Sequence, residues 1–212
     1  MTLNVRSQLL DLAGPVVMGI LNVTPDSFFD GGRYTTHDNL LQQAEKMLNA
    51  GARLLDVGGA SSRPGALEVS EKEELDRVIP AIETLLQHFP TALISIDTWR
   101  AKVAQAAVQA GAALVNDISA GRLDEGMYPA IGAMNALLPD GRRPQSVPYI
   151  LMHMQGRPET MQQAPAYTEV VTEVLDFFIA EVARLRALQV HDIVLDPGFG
   201  FGKTVEQNYA LL

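Results

Sequence analysis

Val16-Val17-Met18-Gly19-Ile20-Leu21-Asn22-Val23-Thr24-Pro25-Asp26-Ser27-Phe28-Phe29-Asp30-Gly31-Gly32 decides how the rest of the chain reads. Its first half is a short apolar run of strand length, apolar at successive positions as in a strand covered on both faces. Its second half breaks into Pro, Asp, Ser and paired glycines, so the chain leaves the sheet through a long polar loop. Asn22 stands where strand gives way to loop. In parallel α/β proteins ligands bind at that end of a strand, because the loops there converge on one crevice.

Later segments repeat the arrangement. Arg53-Leu54-Leu55-Asp56-Val57-Gly58-Gly59, Ala92-Leu93-Ile94-Ser95-Ile96-Asp97-Thr98, Ala113-Leu114-Val115-Asn116-Asp117-Ile118, Tyr149-Ile150-Leu151-Met152-His153-Met154 and Ile193-Val194-Leu195-Asp196 are short apolar runs. Most close on an acid or an amide. Between them lie helical patterns. Leu40, Leu41, Ala44, Met47 and Leu48 share one face, and Leu75, Val78, Ile79, Ile82, Leu85 and Leu86 share another, behind an expected Ser70/Glu73 capping box. An alanine-rich helix spans 103–110, and a short one 127–136. A long one, 168–188, turns Val171, Val174, Leu175, Phe178, Val182 and Leu185 inward. A last helix starts near Thr204, and residues 137–148 read as a polar surface excursion.

Strands alternating with helices predict βα units around a parallel sheet. A TIM-type (β/α)8 barrel fits best, apparently truncated to about six βα units, since eight usually need about 250 residues. A doubly wound sheet is the alternative, weakened by the lack of a G-x-G-x-x-G turn after the first strand. Residues 1–212 read as a single domain.

Composition narrows the function. Apolar residues make up 47% and charged residues 19%, an ordinary globular balance. A formal charge of −9 argues against nucleic acid or an anionic membrane as partner. With no cysteine, disulfides and thiolate metal sites are excluded. No apolar run approaches the roughly 20 residues of a membrane span, and the N-terminal stretch, broken by Asp11 and Gly14, lacks a signal-peptide h-region, so a cytoplasmic protein is expected.

Carboxylates and amides gathered at one mouth cost desolvation, which stability alone does not require. They suit a flat heterocycle rich in N–H donors, for a carboxylate accepts two parallel hydrogen bonds from a ring N–H and its adjacent amino group. Asp97 and Asp196 are the best candidates for that. Arg63, between Ser62 and Pro64, reads either as a solvated surface arginine or as a guanidinium fork for phosphate. The Asn22 amide oxygen suits a hard cation such as Mg²⁺, which takes few protein ligands and relies on substrate phosphates for the rest. The Gly200-Phe201-Gly202-Lys203-Thr204 run is no P-loop, because Pro197 stands where the first glycine belongs. His153, flanked by methionines, reads as a core histidine.

These blocks, in this order, resemble the dihydropteroate synthase family. The resemblance runs from Met18-Gly19-Ile20-Leu21-Asn22-Val23-Thr24-Pro25-Asp26-Ser27-Phe28 through Asp56-Val57-Gly58-Gly59, Arg63-Pro64-Gly65, Ile96-Asp97-Thr98, Val115-Asn116-Asp117-Ile118 and Leu151-Met152-His153-Met154-Gln155-Gly156 to Leu195-Asp196-Pro197-Gly198-Phe199-Gly200-Phe201-Gly202-Lys203. It implies a (β/α)8 barrel acting as a transferase in folate biosynthesis. Such an enzyme joins 6-hydroxymethyl-7,8-dihydropterin diphosphate to p-aminobenzoate, giving 7,8-dihydropteroate and diphosphate, and is a sulfonamide target. By the same resemblance Asp97, Asn116 and Asp196 hold the pterin with Ser62 nearby, Asn22 meets Mg²⁺, and Arg63 binds the leaving diphosphate. Phe28, Pro64 and Phe201 shape the aminobenzoate pocket, and Asp97 with Arg63 stabilises the developing charges. Lys203 completes a motif without an assigned role.

The pattern departs in places. Ala60 and Ser62 stand where the family usually has Glu and Thr. The family's Ser-Arg-Lys-Ser and Arg-x-His-Asp blocks of the seventh and eighth strands have no counterpart in residues 1–212. The expectation is therefore a pterin-binding domain lacking the last two βα units, and a homodimer if it follows its family. The alternatives are a fragment without turnover of its own, a pterin-binding methyltransferase domain and a non-catalytic truncated pterin binder.

Overall fold

The computed structural model describes residues 1–6, 8–24, 36–60, 69–137, 140–141, 146–158, 160–161 and 165–212. Six strands form one parallel sheet: β3 (Met18–Asn22), β4 (Leu54–Gly58), β5 (Leu93–Asp97), β6 (Leu114–Asp117), β7 (Tyr149–Met152) and β8 (Ile193–Asp196). Each is hydrogen-bonded to the next in chain order, from β3 through β8. A doubly wound sheet reverses its order at a switch point; this one never does, as a barrel wall requires.

Helices return the chain between strands: α1 (Thr36–Asn49), α2 (Glu71–His88), α3 (Ala101–Ala110), α4 (Met127–Asn135) and α5 (Val170–Ala187), with α6 (Val205–Leu211) after β8. Side chains alternate across each strand, so the sheet has one face toward the helices and one toward the barrel interior. Leu55, Val57, Ile94, Ile96, Val115, Tyr149 and Leu151 face the helices and join Val78, Ile82, Leu85, Val103, Met127 and Phe178 in the main core. Fully burying one such side chain contributes about 1.5–3 kcal/mol.

An antiparallel hairpin, β1 (Thr2–Val5) and β2 (Gln8–Asp11), precedes the barrel strands. Its strands mix polar with apolar residues and lack the continuous apolar run of the barrel strands, and the sequence reading did not anticipate them. Leu3, Val5 and Leu10 pack on Leu54 and Leu114 at the N-terminal end of the wall. Asp192 ties this floor together, its carboxylate accepting from the Asn4 N–H at 2.8 Å and the Ser146 hydroxyl at 2.9 Å.

Other expectations need adjustment. The Ser70 hydroxyl caps α2 by accepting from the Glu73 N–H, but the Glu73 carboxylate pairs with Arg77 one turn on. The reciprocal capping box occurs instead on α6, between Thr204 and Gln207. In α5, Val174, Phe178 and Leu185 are buried as expected, while Val171 and Leu175 face outward. The polar excursion ends early: Ser146 and Val147 are buried, and Asn135 bridges the Val147 backbone through both N–H and carbonyl.

Candidate active site at the strand ends

Register aligns the strand-end residues. Asn22 pairs with Gly58, Gly58 with Asp97, and Asp97 with Asn116, so four adjacent strands place these residues in one row on the inner face. Gly58 supplies the gap in this row. A Cβ there would lie 3.3 Å from one Asp97 carboxylate oxygen and 3.5 Å from the Asn22 amide oxygen. The missing side chain leaves a slot with a polar group on either side.

Two positions deeper on β4, Asp56 points the same way. One of its carboxylate oxygens accepts from the Asn116 amide at 2.8 Å, across the inside of the wall. Its other oxygen and the Ser95 hydroxyl are buried without a hydrogen-bond partner. The Ser95 hydroxyl still lies near enough to Asp56 to pull its pKa partway down. Buried polar groups are nearly always satisfied, so this carboxylate oxygen and this hydroxyl under the slot are open to a ligand or an ordered water.

Asp97 carries the strongest electrostatic signature. Burial pushes its pKa well above the usual carboxylate range, and repulsion from Asp56, Glu74 and Asp117 pushes it further. By accessible surface Asp97 remains partly open to the mouth. Burial also raises Asp56, which its hydrogen bonds only partly offset. Carboxylates held this way gain when a ligand brings N–H donors or positive character to them.

Asp117 belongs elsewhere, although the sequence sets it beside Asn116 among the strand-end acids. Strand alternation turns it outward, where it accepts from the Ser119 N–H and hydroxyl, the Gly121 N–H and the Tyr149 hydroxyl, all between 2.6 and 2.7 Å. Its carboxylate is occupied in shaping the turn after β6.

Asp196 shares the inner face. Ile150 and Val194 continue the row from Asn116, and Asp196 lies two residues further toward the mouth. One of its carboxylate oxygens accepts from the Gly198 N–H at 2.7 Å, which orients the carboxylate over the β8 loop. Phe201, on that loop, packs with Trp99, Met152, Met154 and Met161 into an apolar wall beside the polar row. His153 is buried against Phe177, with ring centroids 4.9 Å apart. Its pKa is pushed down to about 4, by burial first and then by the charges of Lys203 and Arg122. The sequence predicts a core histidine, and the ring is buried, though its Nδ1 has no hydrogen-bond partner.

Asn22, Asp97 and Asn116 thus come together, with Asp196 and Phe201 on the same rim. Ser62, Arg63, Pro64 and Phe28 lie outside the described residues. Sequence reading counted Asp56 among the strand-end acids without a site role. Its place two residues before Gly58, on the inward parity, is the signal that reveals it. Among the described residues, no group of three or more His, Cys, Asp and Glu side chains could hold a metal ion. The Asn22 amide oxygen, exposed at the mouth, suits a cation that arrives with most of its ligands. No helix among the described residues is long and apolar enough to cross a membrane.

Known proteins resemble this chain along nearly its whole length. The family described as pterin binding enzyme matches residues 18–212. The dihydropteroate synthase of Escherichia coli K12 is 46% identical over 214 residues, covering 100% of this chain and 71% of that protein. The crystal structure of Yersinia pestis dihydropteroate synthase with a sulfonamide drug complex superposes with a TM-score of 0.86 at 46% identity, covering 100% of this chain and 73% of that one. The Burkholderia cenocepacia dihydropteroate synthase complexed with 7,8-dihydropteroate gives a TM-score of 0.80 at 42% identity, covering 99% and 68%. A polar row at the strand ends, a barrel wall in sequential order and these matches along the whole chain lead to one assignment: the chain belongs to the pterin-binding enzyme family, among the dihydropteroate synthases.

Proposed function

We infer that this chain is a dihydropteroate synthase, condensing 6-hydroxymethyl-7,8-dihydropterin diphosphate with p-aminobenzoate to give 7,8-dihydropteroate and diphosphate. The observation that carries the reading is the row Asn22–Gly58–Asp97–Asn116 over the unsatisfied Asp56 oxygen. A 2-amino-4-oxo-pyrimidine ring offers adjacent N–H groups to a carboxylate and an acceptor to an amide N–H. Asp97, Asn116 and Asp196 bind the pterin, and the family resemblance assigns Ser62 to the same ligand.

In the reaction the amine nitrogen of p-aminobenzoate attacks the pterin methylene carbon. The C–O bond to diphosphate breaks with its electron pair, and the amine gives up a proton. Positive character on the pterin is stabilised by the Asp97 carboxylate, and negative charge on the departing oxygens by Arg63. The Asn22 amide oxygen would hold a Mg²⁺ ion arriving with the diphosphate, which would supply further charge neutralisation when bound. Phe201 offers an apolar side for the aminobenzoate ring, to which the family resemblance adds Phe28 and Pro64, and excludes water from the electrophilic carbon.

Residues 1–212 serve as one pterin-binding domain, working in the cytoplasm and pairing as a homodimer. The test is diphosphate release measured with and without p-aminobenzoate. Release that requires p-aminobenzoate and falls in Asp97→Ala supports the synthase. Release indifferent to p-aminobenzoate, or an unimpaired Asp97→Ala variant, overturns it.

A further inference from the structure

Lys203 is buried, at 4% exposure, in a place where the strand-end row does not use it. Its ammonium donates to the carbonyl oxygens of His153 at 3.1 Å, Gly198 at 3.0 Å and Phe201 at 3.0 Å. An ammonium has three N–H bonds, so every proton is committed and none is left for a substrate. The accepting carbonyls come from two separate loops. His153 follows β7, whereas Gly198 and Phe201 belong to the loop after β8.

These loops touch so closely that they need such a centre. Gly198 has a φ of 67°, and a Cβ on it would lie 2.1 Å from the His153 carbonyl oxygen. Carbonyl oxygens aimed at one point repel each other unless a cation stands between them. The cost of burying that cation shows in its pKa, which desolvation pulls down to about 8 against the field of Asp196. The same short turn sets both groups on the rim. The Gly198 N–H is held by the Asp196 carboxylate at 2.7 Å, and the Phe201 N–H by the Gly198 carbonyl at 3.0 Å.

We propose that Lys203 is a positioning residue. By gathering the carbonyls of the β7 and β8 loops it fixes where the Asp196 carboxylate and the Phe201 ring stand, and it touches no substrate itself. The functional part of this rests on the reading that Asp196 meets the pterin.

The test uses Lys203→Met and Lys203→Arg in this chain, each alone and combined with Asp196→Asn. Affinity for 6-hydroxymethyl-7,8-dihydropterin is measured by calorimetry, and amide hydrogen exchange is followed at Gly198 and Phe201. Lys203→Met is expected to weaken pterin binding about tenfold, the size of a lost charge-assisted hydrogen bond. Lys203→Arg, which keeps N–H donors, restores most of it. On the Asp196→Asn background Lys203→Met adds less than about twofold, because the lysine acts through that carboxylate. Exchange speeds up at Gly198 and Phe201 and stays unchanged in β5 and β6. Unaltered pterin affinity in Lys203→Met, or full additivity with Asp196→Asn, overturns the proposal. If the unmodified chain binds no pterin, the functional reading fails and exchange decides the lysine: local acceleration upholds the clip, and unchanged or global acceleration removes it. Lys203→Gln replaces Lys203→Met should the latter not melt cooperatively.

Discussion

A methyl group at position 58 would stand 3.3 Å from an Asp97 oxygen and 3.5 Å from the Asn22 amide oxygen, inside the slot those groups border. Gly58→Ala is therefore expected to reduce pterin affinity about tenfold or more, by filling space rather than by removing a contact. Its stability is expected to hold or to rise by about 0.5–1 kcal/mol, since alanine loses less backbone entropy than glycine in a strand. Calorimetric titration and a urea melt on the same sample separate the two effects. At this scale much of the site was legible: Asn22, Asp97, Asn116 and Asp196 each follow an apolar run and interrupt it with a polar group. Parity along the strand divides Asn116, which faces the ligand side, from Asp117, which shapes a turn. Lys203 was not legible, because its partner His153 is 50 positions away and nothing local predicts the approach.

Elements are joined at the mouth by a buried pair that propensity does not disclose. Glu74 of α2 is fully buried, accepts from the Thr98 hydroxyl at 2.7 Å and pairs with Arg100, whose second nitrogen donates to the Val69 carbonyl at 2.6 Å. This binds α2 to the turn between β5 and α3, next to Asp97. Arg100→Met leaves the Glu74 carboxylate buried without its cation and is expected to cost about 3–5 kcal/mol in a urea melt. Adding Glu74→Gln removes the stranded charge and is expected to recover part of that loss. Failure of the double variant to recover anything would assign the role to Arg100 packing instead. Helix and strand identities were readable from periodicity. The pairing was not, because Glu74 sits with Glu71 and Glu73 on what reads as an ordinary acidic first turn.

For the whole molecule, stability depends on pH through groups that burial has displaced. His153, with its pKa lowered from 6.5 to about 4, stays neutral in the fold where the unfolded chain takes up a proton. Its contribution is fully present above pH 6.5 and is lost as pH falls toward 4. Asp56, Asp97 and Asp117 act with the opposite sign, since their raised pKa values favour the native state at low pH. The histidine is isolated by comparison with His153→Gln: the stability difference between the two proteins is expected to shrink as pH drops from 6.5 to 4. A constant difference would mean that His153 titrates normally. The βα order and the barrel class followed from alternating strand and helix patterns. The hairpin floor did not, because Thr2–Val5 and Gln8–Asp11 lack the continuous apolar run that marks the barrel strands.

The central claim is that one row of acids and amides grips a pterin ring. Its most direct test is calorimetric titration of 6-hydroxymethyl-7,8-dihydropterin into the unmodified chain and into Asp97→Asn, each with a melting curve. Pterin affinity is expected to fall about 10- to 100-fold in the variant, as loss of a charge-assisted pair implies. Melting temperature is expected to rise, because a carboxylate that burial and like charges destabilise has been neutralised. Equal pterin affinity in the two proteins, or no binding to either, would contradict the account.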